Sequence, residues 1–534
     1  MRSNLLQTGV CDPQHSSLSE PGNALGSGRV SLLRLLVFAA ICFASFSSRA
    51  AAPEKPKLAV LDGVVASDQV LILEHVTVID VTGGPSLADR SVIVSGDSIT
   101  AIAKSGSIPI PAGAHVIDGH GKFLIPGLWD MHTHVAGIAA DPSWAKSTLL
   151  PLLVANGITG IRDMGGDLDA LEAWRREVEG GTLAGPRIVA AGPMLVPARR
   201  AGAPAAPPDP SLLRIGTPEE AREAVDSLLK RGADFIKIIT VSRENYFAIA
   251  EESKKDGIPF VGHIPFDVNA TEASNAGQKS IEHIIYSSLA LDCSGQGEEI
   301  RRKMREALAA KDERANAALS DEANRTFSSE KAAALWLTFK KNGTWVTPTL
   351  FSIWVNAHHS LDSAVDPQLA YLPQALRKEW APAKNSAPGD RETEAWWQRQ
   401  FENDRKLTGE MHRAGVRLLA GSDSLDRYDF VGTSLHRELQ MLVEAGLTPL
   451  EALQAATIGP AEFLARADSG KIATGNRADL VLLEGDPTKD IRNTEKIAAV
   501  VLQGRLYARG ELDAMLSGAR AAAAAAPAAA SEAK

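Results

Sequence analysis

Residues 125–134 read Ile125-Pro126-Gly127-Leu128-Trp129-Asp130-Met131-His132-Thr133-His134, and the rhythm of the chain changes across them. Before this stretch, apolar and β-branched runs such as Val76-Thr77-Val78-Ile79 and Ser91-Val92-Ile93-Val94 are broken by turn residues about every eight to twelve positions, a sheet pattern. After it, short apolar runs alternate with helical stretches, the sign of βα units feeding a parallel sheet. Strands are predicted at 128–133, 158–163, 187–191, 235–239, 259–263, 281–285, 345–349 and 416–422. Helices fall between them at Leu168–Glu179, Pro218–Arg231 and Glu244–Asp256. Thr217-Pro218-Glu219-Glu220 is a helix start, with a capping hydroxyl, proline at the first position and acids in the first turn. Eight such strands make an α/β fold with a (β/α)8 TIM barrel over 127–465 the economical expectation, an open sheet being the alternative.

The flanks of the barrel belong together. Strand patterns return after 466, in Ala478-Asp479-Leu480-Val481-Leu482-Leu483 and Ala498-Ala499-Val500-Val501-Leu502. Segments 58–126 and 466–512 are therefore expected to form one small β-sandwich domain from both ends of the chain. The long connections 287–344 and 353–405, and the proline-rich loop Pro193–Pro210, follow strand ends, where a barrel carries its active-site loops. Trp354, Trp396 and Trp397 could cover a site there. The alanine-rich tail, 513–534, is expected to be disordered or a frayed helix.

Composition narrows the function. With 534 residues, 45% hydrophobic and 23% charged, the chain can bury an extensive core. A formal charge of -9 with no aromatic–basic stripe argues against nucleic acid as a partner. Arg29 and Arg34 precede the apolar run Leu35–Phe46, which is followed by Ser48-Arg49-Ala50-Ala51-Ala52. That order reads as a secretory signal within residues 1–52, too short in its apolar part to span a membrane, so an exported, periplasmic or secreted protein is expected. Cys11 and Cys42 would leave with it, so Cys293 alone remains and no internal disulfide forms. Apolar faces on barrel helices leave a homo-oligomer open.

Several strand ends carry chemistry. His132 and His134 sit two apart on one strand and so point the same way, a half-shell for a divalent ion. His263 and His283 each close a later apolar run, and Asp423 closes Leu418-Leu419-Ala420-Gly421-Ser422-Asp423. Singly, each has an ordinary alternative: a histidine bonded to a carbonyl, or Asp423 as a helix cap. In a barrel, however, all these ends converge on one face. Lys237, in Phe235-Ile236-Lys237-Ile238-Ile239, is a cation on a strand that reads as buried, which is costly unless something neutralises it. An ion pair with Asp234 is one answer. Reaction of its amine with carbon dioxide, giving an anionic carbamate ligand, is the other.

Taken together, Ile125–Val135, Asn156–Gly166, Gly232–Ile238, Phe260–Pro265, Gly277–His283, Val346–Leu350, Gly415–Ser424 and Ala445–Ala461 resemble the amidohydrolase superfamily. The likeness is strongest to its imidazolonepropionase-like branch, with secreted prolidases and Xaa-Arg dipeptidases, and it spans about residues 65–510. The resemblance implies that His132, His134 and Asp423 hold one metal and His263 and His283 a second, with carbamylated Lys237 bridging them. Imidazolonepropionase itself is similar to a one-metal design without this lysine, so Lys237 argues against that activity. Two divalent ions, zinc best suiting the imidazoles and manganese or cobalt the oxygens, would supply hydroxide near neutral pH. Asp423 would pass its proton to the departing amine. The expected substrates are dipeptides or N-acyl amino acids, with a cyclic amide, lactone or phosphotriester as the alternative. A non-catalytic metal-containing binding protein is the reading from another class. For a substrate carboxylate, Arg199, Arg200, Arg243 and Tyr246 are the candidate partners.

Overall fold

The computed structural model describes residues 70–137, 142–199, 202, 208–358, 366–380 and 390–526. The segment read as a signal, 1–52, lies outside them, as do residues 58–69, Arg200 and the last eight of the tail.

Both ends of the described chain meet in one eight-stranded sheet. Its order is Arg505–Ala508, Ile497–Leu502, Leu480–Leu483, Phe123–Pro126, Leu71–Val78, Leu87–Ser95 and Ser98–Lys104, with His115–Asp118 also paired to Leu71–Val78. The hydrogen bonding thus gives a single sheet where two facing sheets were expected. Alternation explains how it is buried on both sides. Leu480, Leu482 and Leu124 enter a core belonging to this sheet, while Val481, Leu483 and Ile125 point the other way, into the main core of the molecule. Leu480–Leu483 pairs with Phe123–Pro126 antiparallel, so residues far apart in the chain lie side by side.

Between Leu128 and Thr347 the strands are parallel and short. Leu128–Thr133, Ile158–Asp163 and Arg187–Ala190 form one sheet. Leu212–Ile215, Met194–Pro197, Ile236–Ile238, Phe260–Gly262, Ser280–Glu282 and Trp345–Thr347 form another. The pairing does not run as one closed ladder. Single backbone bonds join its parts: Asp234 N–H donates to Ala190 at 2.9 Å, Met131 N–H to Ala420 at 3.0 Å, and Leu419 N–H to Val346 at 2.9 Å. The predicted strand 416–422 is present only as isolated parallel bridges, Val346 with Leu418 and Thr133 with Ser424.

The helices start where the sequence places their caps. Asp167 accepts from Asp169 and Ala170 N–H to open Leu168–Glu179, and Thr217 accepts from Glu220 N–H to open Pro218–Lys230. Ser242 caps Arg243–Asp256, which ends on Gly257 in the left-handed conformation that glycine tolerates. Of the two expectations for the tail, the described part takes the helical one: Arg509–Ala525 is a helix, with Leu512, Met515, Ala519 and Ala523 buried. Alanine has the highest helix propensity, and its small side chains allow this helix to pack closely.

Gly262, the last residue of its strand, has φ +129°, and a Cβ there would stand 2.0 Å from the Ile238 carbonyl oxygen. We expect Gly262→Ala to cost about 3 kcal/mol or more. Denaturant titration checks this, and an unchanged midpoint would mean that the two strands separate freely.

Candidate metal centre

The strand ends turn their side chains inward by unusual backbone geometry. His283 and Asp423 have φ of 58° and 68°, a region that non-glycine residues occupy only when their surroundings hold them there. The result brings six residues together. His132 Nε2 and His134 Nε2 stand 3.2 and 3.4 Å from the same Asp423 oxygen, Oδ1. His283 Nδ1 is 3.8 Å from Oδ2. The His283 ring lies 4.7 Å from that of His132 and 4.9 Å from that of His263, centre to centre. Lys237 Nζ is 3.4 Å from His132 Nε2 and 1% exposed. Its alternative partner, Asp234, is taken instead by Arg175 at 2.5 Å and by the Ala190 N–H.

The donor set fits divalent cations. His134 Nδ1 is bonded to the Gly165 carbonyl at 3.2 Å; a carbonyl only accepts, so Nδ1 carries the proton and Nε2 presents its lone pair. His132 Nδ1 is bonded to Glu282 at 2.9 Å, again leaving Nε2 toward Asp423. Metal-binding histidines are fixed in this way through their second nitrogen. The ligand atoms of His132, His134 and Asp423 all lie within 4.8 Å of one another, a spacing that one ion can bridge. Burial, then the charge of Lys237 or a neighbouring imidazole, holds His132, His263 and His283 well below the usual imidazole value, as neutral donors. Burial opposes charge on His134 as well, but its hydrogen bond to Asp423 and that carboxylate's charge raise it above the ordinary value. Lys237 is pushed down to about 8 by burial, against the pull of Glu282 and Asp423, which makes a neutral amine accessible.

Beneath the site lies a network that the sequence reading missed. Arg162, fully buried, donates from Nε to the Met131 carbonyl at 2.6 Å, from Nη1 to Ser280 Oγ at 2.9 Å, and from Nη2 to Glu282 at 2.8 and 2.9 Å. Burial would raise the Glu282 carboxyl, yet Arg162 and Lys237 hold it below the usual carboxylate value. Asp130 plays a similar part behind Asp423, accepting from Ser422 N–H at 2.9 Å and from its hydroxyl at 2.6 Å. Asp130 is pushed up to about 6, chiefly by burial. The signal for Arg162 and Glu282 was present: each is a charge inside an apolar strand, the same anomaly that singled out Lys237.

Two candidate partners for a substrate carboxylate are committed elsewhere. Arg243 is paired with Glu272 through both Nη atoms and also donates to the Asp267 carbonyl. Tyr246 is fully buried, with its hydroxyl on Gln278 at 2.6 Å. Trp396 is likewise buried, its indole N–H reaching the Ala317 carbonyl, so it packs rather than covers. Trp354 stacks between Phe351 and His358.

Residues 123–507 match the model of the Amidohydrolase family, and the chain belongs to that family. It is 24% identical over 476 residues to the ochratoxinase of Aspergillus niger, covering 78% of this chain and 82% of that one. A Xaa-Pro dipeptidase with bound methionine shares its fold at a TM-score of 0.60 and 21% identity, over 82% of this chain and 100% of the other. A putative prolidase from Bifidobacterium longum aligns at 0.59 and 25% identity, over 85% and 99%. Within the superfamily these neighbours define the prolidase and ochratoxinase branch, and the chain is a hydrolase acting on carbon–nitrogen amide bonds.

Proposed function

We propose that this protein is an exported, metal-dependent amidohydrolase that cleaves the amide bond of dipeptides or N-acyl amino acids at a binuclear site. The site would stand at one end of a (β/α)8 barrel, beside the eight-stranded sheet built from both ends of the described chain. The observation that carries this is the meeting of His132, His134, Lys237, His263, His283 and Asp423 within a few ångströms. A Xaa-Pro dipeptidase and prolidases among the structural neighbours support the dipeptide class. The signal-like segment 29–52 supports export, and among the described residues no helix is long and apolar enough to cross a membrane.

Two divalent ions, zinc on this imidazole-rich set, would supply an acidified water and a polarised scissile carbonyl. His132, His134, His263, His283 and Asp423 would hold these ions, and Lys237, once carbamylated, would add an anionic oxygen ligand. Asp423 stands against His132 and His134 and keeps 14% of its side chain exposed, so it can accept the proton of the attacking water and return it to the leaving amine.

Amino-acid release from a mixed library of dipeptides and N-acyl amino acids, by zinc-loaded residues 53–534 in bicarbonate buffer, tests this. Release is expected from the wild type and not from Lys237→Ala. No release with two metals bound per chain would reject the peptidase reading and turn the search to cyclic amides, lactones and phosphotriesters.

A further inference from the structure

The helix Leu350–Ala357 begins immediately beside the metal centre, and its start is built in an unusual way. A helix leaves its first N–H groups without partners inside the helix, and a threonine just before it normally accepts from one of them. Thr349 occupies that position but does not cap. It sits in the left-handed region at φ 49°, and its hydroxyl is 2.6 Å from His283 Nδ1 instead. The capping role falls to a residue 87 positions beyond Phe351. Glu438, fully buried on the helix Thr433–Glu444, accepts from Phe351 N–H at 2.8 Å and also from Leu350 N–H. Its other oxygen, Oε1, has no hydrogen-bond partner among the described residues. One residue further on, the buried Ser352 hydroxyl donates to Asp423 Oδ2 at 3.4 Å. The turn Thr349–Ser352 therefore touches two of the site residues, and Glu438 fixes the turn from behind.

We propose that Glu438 is a positioning residue for the metal centre: by capping the helix that Thr349 leaves uncapped, it sets the orientation of both His283 and Asp423. This rests on the reading of those two residues as metal ligands. Burial pushes the Glu438 carboxyl up to about 8, so a neutral amide is a close substitute for it. Glutamine keeps the accepting oxygen, whereas methionine keeps the shape and removes it.

The test is zinc affinity, by competition with a chromophoric chelator, for wild type, Glu438→Gln, Glu438→Met, Thr349→Val and the double variant Glu438→Met/Thr349→Val. Glu438→Met is expected to bind about ten- to hundredfold more weakly, the usual effect of losing an outer-shell partner, with Glu438→Gln close to wild type. The double variant should be little worse than the poorer single one, because both changes act through one turn. Wild-type affinity in a folded Glu438→Met, equal losses in the Gln and Met variants, or simple additivity would each overturn the proposal. Should Glu438→Met fail to fold, Glu438→Asp, which withdraws the carboxyl by one methylene, carries the same expectation and the same refutation. Wild-type protein that binds no zinc would instead remove the metal reading, and this inference with it.

Discussion

Asp423→Asn is expected to lose turnover by about 10²–10⁴-fold, the range for removing a general acid–base group, while metal content stays near that of wild type. Asparagine preserves the shape and one oxygen, which can stay at the Oδ1 position facing His132 Nε2 and His134 Nε2, while its amide nitrogen replaces Oδ2 and the Ser352 hydroxyl turns to accept from it. What it cannot do is take up a proton at that atom. Metal analysis alongside steady-state kinetics separates the two losses. If turnover persists with the metals in place, the proton moves by another route and the assignment of Asp423 fails.

The second large effect is on stability. Glu282→Leu should destabilise the fold by about 3–5 kcal/mol, because it leaves the Arg162 guanidinium buried without its anion. Arg162 has no exposed surface, and its remaining acceptors are neutral: Met131 O, Ser280 Oγ and Thr347 Oγ1. Adding Arg162→Leu to Glu282→Leu should recover much of the loss, since an apolar pair of similar volume often replaces a buried ion pair at little cost. Activity should not return with it, as His132 Nδ1 would still lack its carboxylate. A double variant no more stable than the single one would show that the charge pair is not what the single change disrupts.

Local signals carried much of the fold. The cap Thr217, followed by proline and acids, fixes its helix to within a residue, and Leu168–Glu179 runs as its pattern predicts. Strand-end residues were legible only as a set, because each has an ordinary explanation alone and a barrel brings all the strand ends to one face. The interior charges at 162 and 282 were harder, since pairing across strands is a tertiary fact that neither strand shows alone. Arg243 and Tyr246 were misleading for the opposite reason: both lie within the helix Arg243–Asp256, and Glu272 and Gln278 had already taken their polar ends. Segment 416–422 has the composition of a strand, yet it is held by an isolated bridge at Leu418 and by single backbone bonds such as Met131 N–H to Ala420 and Leu419 N–H to Val346, with Ser422 donating to the Asp130 carboxylate from its N–H and hydroxyl.

The antiparallel pairing of Leu480–Leu483 with Phe123–Pro126 sets a timetable for the chain as it is made. At about 5–20 residues per second, the interval between synthesis of Pro126 and of Leu480 is roughly 20–70 s. During that time Phe123–Pro126, a central strand in the finished sheet, has one side open. Completion of that sheet therefore waits on the last part of the chain to be made, and until then Phe123–Pro126 keeps an unpaired apolar edge of the kind that pairs with other chains.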